Sequence, residues 1–171
     1  FAEKLFGSIG IVEWMNEHLI DTACGLSGSG PAFVAEFIEA LGDGGVLEGL
    51  PRATAYRLAA QTVMGTAKMI LVTGMHPAQL KDMVSSPGGT TITGCQVLEE
   101  MGFRAAAINA VQAATNKSRE LYLPNFRMHK KRISKRKSSF LYAYITTKTP
   151  KFQDLFGFSG VVSCKLLEVI K

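Results

Sequence analysis

The sequence predicts an all-α domain, a bundle of helices followed by a basic tail. Three observations predict it. Apolar residues recur at helical spacing through most of the first 122 positions. Glycines and prolines fall between those periodic runs, where helices stop and start. The charge changes sign near Leu123-Pro124: residues 1–122 hold 8 Lys and Arg against 12 Asp and Glu, a net −4. Residues 123–171 hold 11 against 2, a net +9.

The elements follow in order. Residues 5–20 are mixed, with Ser8 to Val12 fitting a short strand or an extended connector and Glu13 to Ile20 amphipathic. Gly25 to Gly30 (GLSGSG) reads as a flexible turn, and Pro31 suits the first position of a helix. Phe33, Val34, Phe37, Ile38 and Leu41 then fall on one helical face, with Glu36 and Glu39 opposite and Gly42, Gly44 and Gly45 as the stop. Pro51 starts the next helix and Gly74 ends it. That helix is apolar or small nearly all round, so it belongs in a buried setting. At 1.5 Å per residue it spans roughly 35 Å, too long for a chain this small to wrap, so a second subunit is its natural cover. His76-Pro77 opens a short helix with Leu80, Met83 and Val84 on one face. A further helix is expected over Thr91 to Met101, broken by Gly102. The last runs from Phe103 to Tyr122, with Ala105, Ala106, Ile108, Ala110, Val111 and Ala114 inward.

Composition excludes several classes. The 47% hydrophobic content supports a core, and no run of eighteen apolar residues marks a membrane span. Cys24, Cys95 and Cys164 form no CxxC pair, which suits a reducing compartment. His18, His76 and His129 lack ligand spacing, so no metal site is expected. The run HKKRISKRK followed by FLYAYITT lacks periodicity and reads as a solvated, disordered tail. Nucleic acid is not an expected partner, because the helical body offers no basic recognition face. A translated intron or shifted reading frame would also produce this jump in composition, so the origin of the tail stays open.

The segment richest in chemistry is Leu80 to Thr93, LKDMVSSPGGTTIT. Gly88 and Gly89 permit positive φ and close approach of a ligand. Thr90 or Thr91 is placed to cap the following helix. The helix N-terminus favours an anion, and the hydroxyls of Ser85, Ser86, Thr90 and Thr91 surround it. The plain alternative is a capped loop between two helices.

SSPGGTTI closely resembles the signature of the pyrroline-5-carboxylate reductase family. Thr22 to Phe33 (TACGLSGSGPAF), Asp43 to Pro51 (DGGVLEGLP) and the helix containing AAQTVMGTAKM resemble the same family, in its order. The resemblance runs from about residue 10 to Tyr122. It implies a helical dimerisation domain like the C-terminal domain of 6-phosphogluconate dehydrogenase. It also implies an organisation of connector (1–20), helical dimerisation and substrate-binding domain (21–122) and tail (123–171).

The family reduces the C=N bond of 1-pyrroline-5-carboxylate to L-proline with a hydride from NADPH or NADH. By resemblance, Ser86, Gly89, Thr90 and Thr91 bind the substrate carboxylate, and the Thr91 hydroxyl lies near the imine nitrogen as the catalytic group. Ser27, Ser29 and Gly30 face the nicotinamide end of the cofactor. Where some members carry a glutamate shortly before the His-Pro pair, this chain has Thr73-Gly74-Met75. The family's GxGxxG fingerprint lies in an N-terminal domain and does not occur in this sequence, which therefore reads as the C-terminal part of a longer chain. The expected assembly is a homodimer through the long helices, with a higher oligomer as its extension. The expected compartment is the cytoplasm, with the mitochondrion as the alternative. A second reading of the same residues is a truncated, inactive module that pairs with full-length subunits.

Overall fold

In the computed structural model, residues 2–8, 10–129, 139–145 and 162–168 are described, with side chains described for 3–8 and 10–121. The helical expectation holds over the body of the chain. Helix α1 (Ala2–Gly7) precedes strand β1 (Ile11–Asn16), which takes in only Ile11 and Val12 of the Ser8–Val12 stretch and runs on into the segment expected to be amphipathic. A 3-10 turn (Glu17–Leu19) leads into α2 (Ile20–Ala23) and a π-helical turn (Cys24–Gly28). Then follow α3 (Gly30–Leu47), α4 (Arg52–Thr73), α5 (Pro77–Met83), α6 (Thr90–Glu100) and α7 (Phe103–His129). Strands β2 (Ser139–Ile145) and β3 (Val162–Glu168) complete an antiparallel sheet of order β1-β2-β3. Apart from the end of α7 and these two strands, the expected disordered tail lies outside the described residues. Among the described residues, no helix is long and apolar enough to cross a membrane.

The chain divides into two compact units, one of residues 1–31 with 109–171 and one of residues 32–108. In the second unit, α3 does not stop at Gly42, Gly44 and Gly45 as expected but runs through them to Leu47. The reason is packing. A Cβ at Gly42 would lie 2.8 Å from Tyr56 Cδ1, and one at Gly45 would lie 3.2 Å from Ala55 Cβ. These glycines admit α4 against α3. The stop is a Schellman motif: Leu50 N–H donates to Gly45 O (2.9 Å), Gly49 N–H donates to Val46 O (3.0 Å), and Gly49 has φ +96°. Gly74, at φ +68°, ends α4 as expected.

The α3–α4 corner is clasped by polar groups. Arg52 Nη1 donates to Asp43 Oδ1 (2.7 Å) and to Tyr56 OH (3.0 Å), while Tyr56 OH donates to the same Asp43 oxygen (2.8 Å). Phe37 of α3 meets Phe103 of α7 at 5.3 Å between ring centroids.

Helix α4 buries only Ala55 and Ala59. Leu58, Met64, Met69, Leu71 and Val72 are 46–75% exposed. Three of its four threonines are satisfied by their own helix: Thr62 Oγ1 donates to Leu58 O and Thr66 Oγ1 to Thr62 O, both at 2.8 Å, and Thr73 Oγ1 donates to Met69 O at 2.7 Å. From Leu58 to Thr73 the helix thus offers a long apolar surface whose threonine protons are already hydrogen-bonded. In α7 the inward face differs from the expected one. Ala105, Ala106 and Ile108 are exposed, and Ala110, Val111 and Ala114 are half-buried. Among the described side chains of α7, the buried ones are Thr115 and Ser118, which make polar contacts along with their packing.

The α3–α4 packing sets opposite expectations for two of its glycines. Gly42→Val should cost about 1–3 kcal/mol, as overpacking does. Gly44→Ala, with open space where a Cβ would go, should stabilise by up to ~1 kcal/mol through helix propensity. Thermal melts of the two variants check both signs. Hydrogen bonds from Tyr56 and then Arg52 hold the Asp43 carboxyl below its ordinary value. Its contribution is present above the unfolded carboxylate pKa, about 3.9, and is lost as pH falls through the lowered folded value. Asp43→Asn should therefore flatten the acid limb of stability against pH. An unchanged limb would show the clasp to be without weight.

Candidate functional site

The SSPGGTT loop joins α5 to α6 within the second unit. His76 caps α5: its Nδ1 accepts from Ala78 N–H, and Gln79 Oε1 accepts from His76 N–H, both at 3.2 Å. At the other end of α5, Ser85 Oγ donates to Lys81 O at 2.7 Å. The chain then reverses through Ser86-Pro87-Gly88-Gly89. Gly89 N–H donates to Ser86 O at 3.0 Å. Proline second and a glycine at φ +67° third are the requirements of a type II turn.

Gly89 plays a different part from Gly88. Its backbone is extended, with φ −82° and ψ 172°. What it lacks is room, because an added Cβ would collide with Ser86 Oγ and lie 3.1 Å from Ser86 O. The Ser86 side chain is thereby folded over the start of α6.

Gly89, rather than Thr90 or Thr91, is the N-cap of α6. A glycine cap supplies no side-chain acceptor to the first-turn amides. Thr93 turns back instead, with N–H (3.3 Å) and Oγ1 (3.1 Å) both donating to Gly89 O. Among the described residues, the hydroxyls of Ser86, Thr90 and Thr91 and the amides of Thr90, Thr91 and Ile92 have no partner. Thr91 is half-buried, while Ser86 and Thr90 are exposed. The loop brings together a free hydroxyl on either side of a helix N-terminus whose donors are unused. That arrangement suits a carboxylate: it supplies donors and positive potential and brings no competing acid.

Ser27, Ser29 and Gly30 lie in the first unit. The expected flexible turn is instead a π-helical turn, with Ser29 N–H donating to Cys24 O at 3.1 Å. Its order has a packing cause. Gly25 is buried against α7, and a Cβ there would collide with Thr115 Oγ1 and lie 2.8 Å from Thr115 N. Ser27 Oγ donates to Ala23 O at 2.7 Å, so its proton is committed to the backbone. Ser29 is half-buried with its hydroxyl unpaired among the described residues, and Gly30 opens α3 with empty space beside it. Ser29 and Gly30 therefore leave a hydroxyl and an open backbone side by side.

The family model described as pyrroline-5-carboxylate reductase dimerisation matches residues 17–121. The chain belongs to this family. It is similar to the pyrroline-5-carboxylate reductase of Synechocystis sp., 60% identical over 120 residues, covering 70% of this chain and 45% of that protein. The reductase of Escherichia coli is 56% identical over 118 residues, covering 69% and 44%. The chain thus spans under half the length of the curated relatives it matches. Among solved structures, a pyrroline-5-carboxylate reductase from Coxiella burnetii matches with TM-score 0.60 and 42% identity, covering 63% of this chain and 40% of that one. The Plasmodium falciparum pyrroline carboxylate reductase with NADP bound matches with TM-score 0.59 and 42% identity, covering 62% and 40%.

The two glycines of the loop make separable predictions. Gly88→Asn should cost little, because asparagine tolerates a left-handed backbone, whereas Gly88→Val should cost about 1–3 kcal/mol. Gly89→Ala should be damaging although its φ is ordinary, because Ser86 must move. Urea titration of the three variants distinguishes strain from collision.

Proposed function

We propose that this chain is the dimerisation and substrate-binding part of a pyrroline-5-carboxylate reductase, which reduces 1-pyrroline-5-carboxylate to L-proline. The observation that carries this reading is the unpartnered donor set at the start of α6, within a segment similar to reductases at 56–60% identity. The substrate's carboxylate is held by the amides of Thr90 and Thr91, the Ser86 hydroxyl and the close backbone at Gly89. That clamp fixes the orientation of the ring. The Thr91 hydroxyl, free and half-buried, donates a hydrogen bond to the imine nitrogen and aids its protonation. The nicotinamide cofactor, NADPH or NADH, supplies the hydride when bound. On this chain the Ser29 hydroxyl and the open face at Gly30 receive its nicotinamide end, beside Ser27. Most of its contacts belong to the family's N-terminal domain.

Residues 21–122 form the working domain, with 1–20 as its connector and 123–171 as a tail. The partner is a second copy of the chain, seated on the exposed apolar face of α4. Higher assembly builds on that dimer. We read the compartment as the cytoplasm, in keeping with three cysteines that form no motif pair.

The test is made in the chain joined to a family cofactor domain. Thr91→Ala should lower kcat/KM by about 100-fold while light scattering still reports the dimer. Unchanged kinetics would remove Thr91 from the chemistry. Leu71→Glu, on the exposed face of α4, should abolish the dimer by burying an unpaired charge, and a dimer that survives would place the interface elsewhere.

A further inference from the structure

Among the described side chains, α7 holds the π-helical turn and the helix before it at two points. Ser118 of α7 is 7% exposed, and its Oγ donates to Asp21 Oδ1 at 2.7 Å across 97 residues of sequence. One turn on, Gly25 meets Thr115, which is 5% exposed. Thr115 Oγ1 is itself fixed by donating to Val111 O at 2.8 Å. The contacts run in opposite directions along the two elements, 21 with 118 and 25 with 115, so α2 and its turn lie antiparallel on α7. All four residues belong to one compact unit. Ser27 and Ser29 follow Gly25 by two and four residues. Their placement therefore depends on where α7 holds residues 21–25, with strand β3 also packed against the turn.

We propose that Ser118 and Asp21, with the Gly25–Thr115 contact, are positioning residues that fix the Ser27–Gly30 turn for the nicotinamide end of the cofactor. The proposal rests on the reading of that turn as cofactor-facing. None of the four residues acts on substrate. The chemical logic lies in the type of contact. A glycine pressed on a backbone sets distance but tolerates sliding and rotation. A half-buried hydroxyl-to-carboxylate hydrogen bond sets register, because it is directional and charge-assisted. A π-helical turn lacks the regular i to i−4 ladder and so depends more on outside contacts than an ordinary helical turn.

The experiment uses the full-length reductase carrying this chain, with the variants Ser118→Ala, Ser118→Thr and Asp21→Asn. Amide hydrogen exchange over residues 26–30 should accelerate about tenfold in Ser118→Ala, while exchange in α4 and α6 is unchanged. The KM for NADPH should rise about fivefold, the factor for one lost hydrogen bond, with the KM for pyrroline-5-carboxylate unmoved. Ser118→Thr keeps the hydroxyl and Asp21→Asn keeps an acceptor oxygen, so both should restore much of the effect. Unchanged exchange in Ser118→Ala would overturn the proposal, since the turn would then be held by itself or by β3. Accelerated exchange with an unchanged NADPH KM would show a real brace behind a turn the cofactor does not use, and would overturn the cofactor-facing reading instead. A general rise in exchange that reaches α4 would also overturn the proposal, by making the contact a global stabiliser.

Discussion

The apolar surface of α4 is the constraint that the other elements answer to. Twenty-two residues form a helix of about 33 Å, and within one chain only Ala55 and Ala59 are buried. Leu71 and Val72 are 70% and 75% exposed. Apolar surface left in water forgoes roughly 25 cal/mol per Å², so such a face is a strong driving force for association. The helix is fitted to that end in detail. Its contact with α3 sets Ala55 against Gly45 and the Tyr56 ring against Gly42, while Leu58, Met64, Leu71 and Val72 stay exposed. Its Thr62, Thr66 and Thr73 hydroxyls donate to carbonyls of the same helix, so covering them leaves no hydroxyl proton unsatisfied. A subunit interface on α4 is therefore compatible with these three threonines.

The candidate site is built on the same economy of side chains. Between α5 and α6 the turn is made by Pro87 and Gly88, the cap by Gly89, and none of these brings a functional group. What remains are backbone amides and three hydroxyls. A carboxylate bound there meets donors already oriented by the helix, with little side-chain entropy to lose. Thr93 contributes by occupying the Gly89 carbonyl, which keeps the first turn regular while Thr90 and Thr91 stay open. The α3–α4 clasp of Asp43, Arg52 and Tyr56 lies on the surface, where exposed ion pairs contribute little to stability. Its effect is to fix the angle at which α4 leaves α3.

Much of this architecture is legible in the amino-acid sequence. The start and stop of α4 at Pro51 and Gly74, the short α5 behind His76-Pro77, and the loop ahead of α6 follow from local chemistry alone. The differences between expectation and fold share one cause. Gly42, Gly44 and Gly45 read as a helix end, and Gly25 to Gly30 as a flexible turn, because glycine reads locally as freedom. In the fold Gly25, Gly42 and Gly45 are close-approach sites whose neighbours, Thr115, Tyr56 and Ala55, are distant in the sequence or on another element. The cap of α6 falls one or two residues before its expected place for a related reason. Threonine is the better cap by propensity, but the turn positions Gly89 there and leaves both threonines inside the helix. Ser118 and Asp21 carry no local signal at all, since nothing in the sequence pairs a serine with an aspartate 97 residues away.

Local chemistry along the chain is thus enough for the helical class, the order and approximate limits of the helices, the apolar excess of α4 and the position of the SSPGGTT loop. Periodicity, caps and turn residues act over a few positions, so they can be read in order. The packed fold was needed to tell which glycines bend and which admit a neighbour, which face of α7 turns inward, and which hydroxyls are left for a ligand. Those outcomes depend on the close approach of elements far apart in sequence, and the chain order carries no local record of that approach.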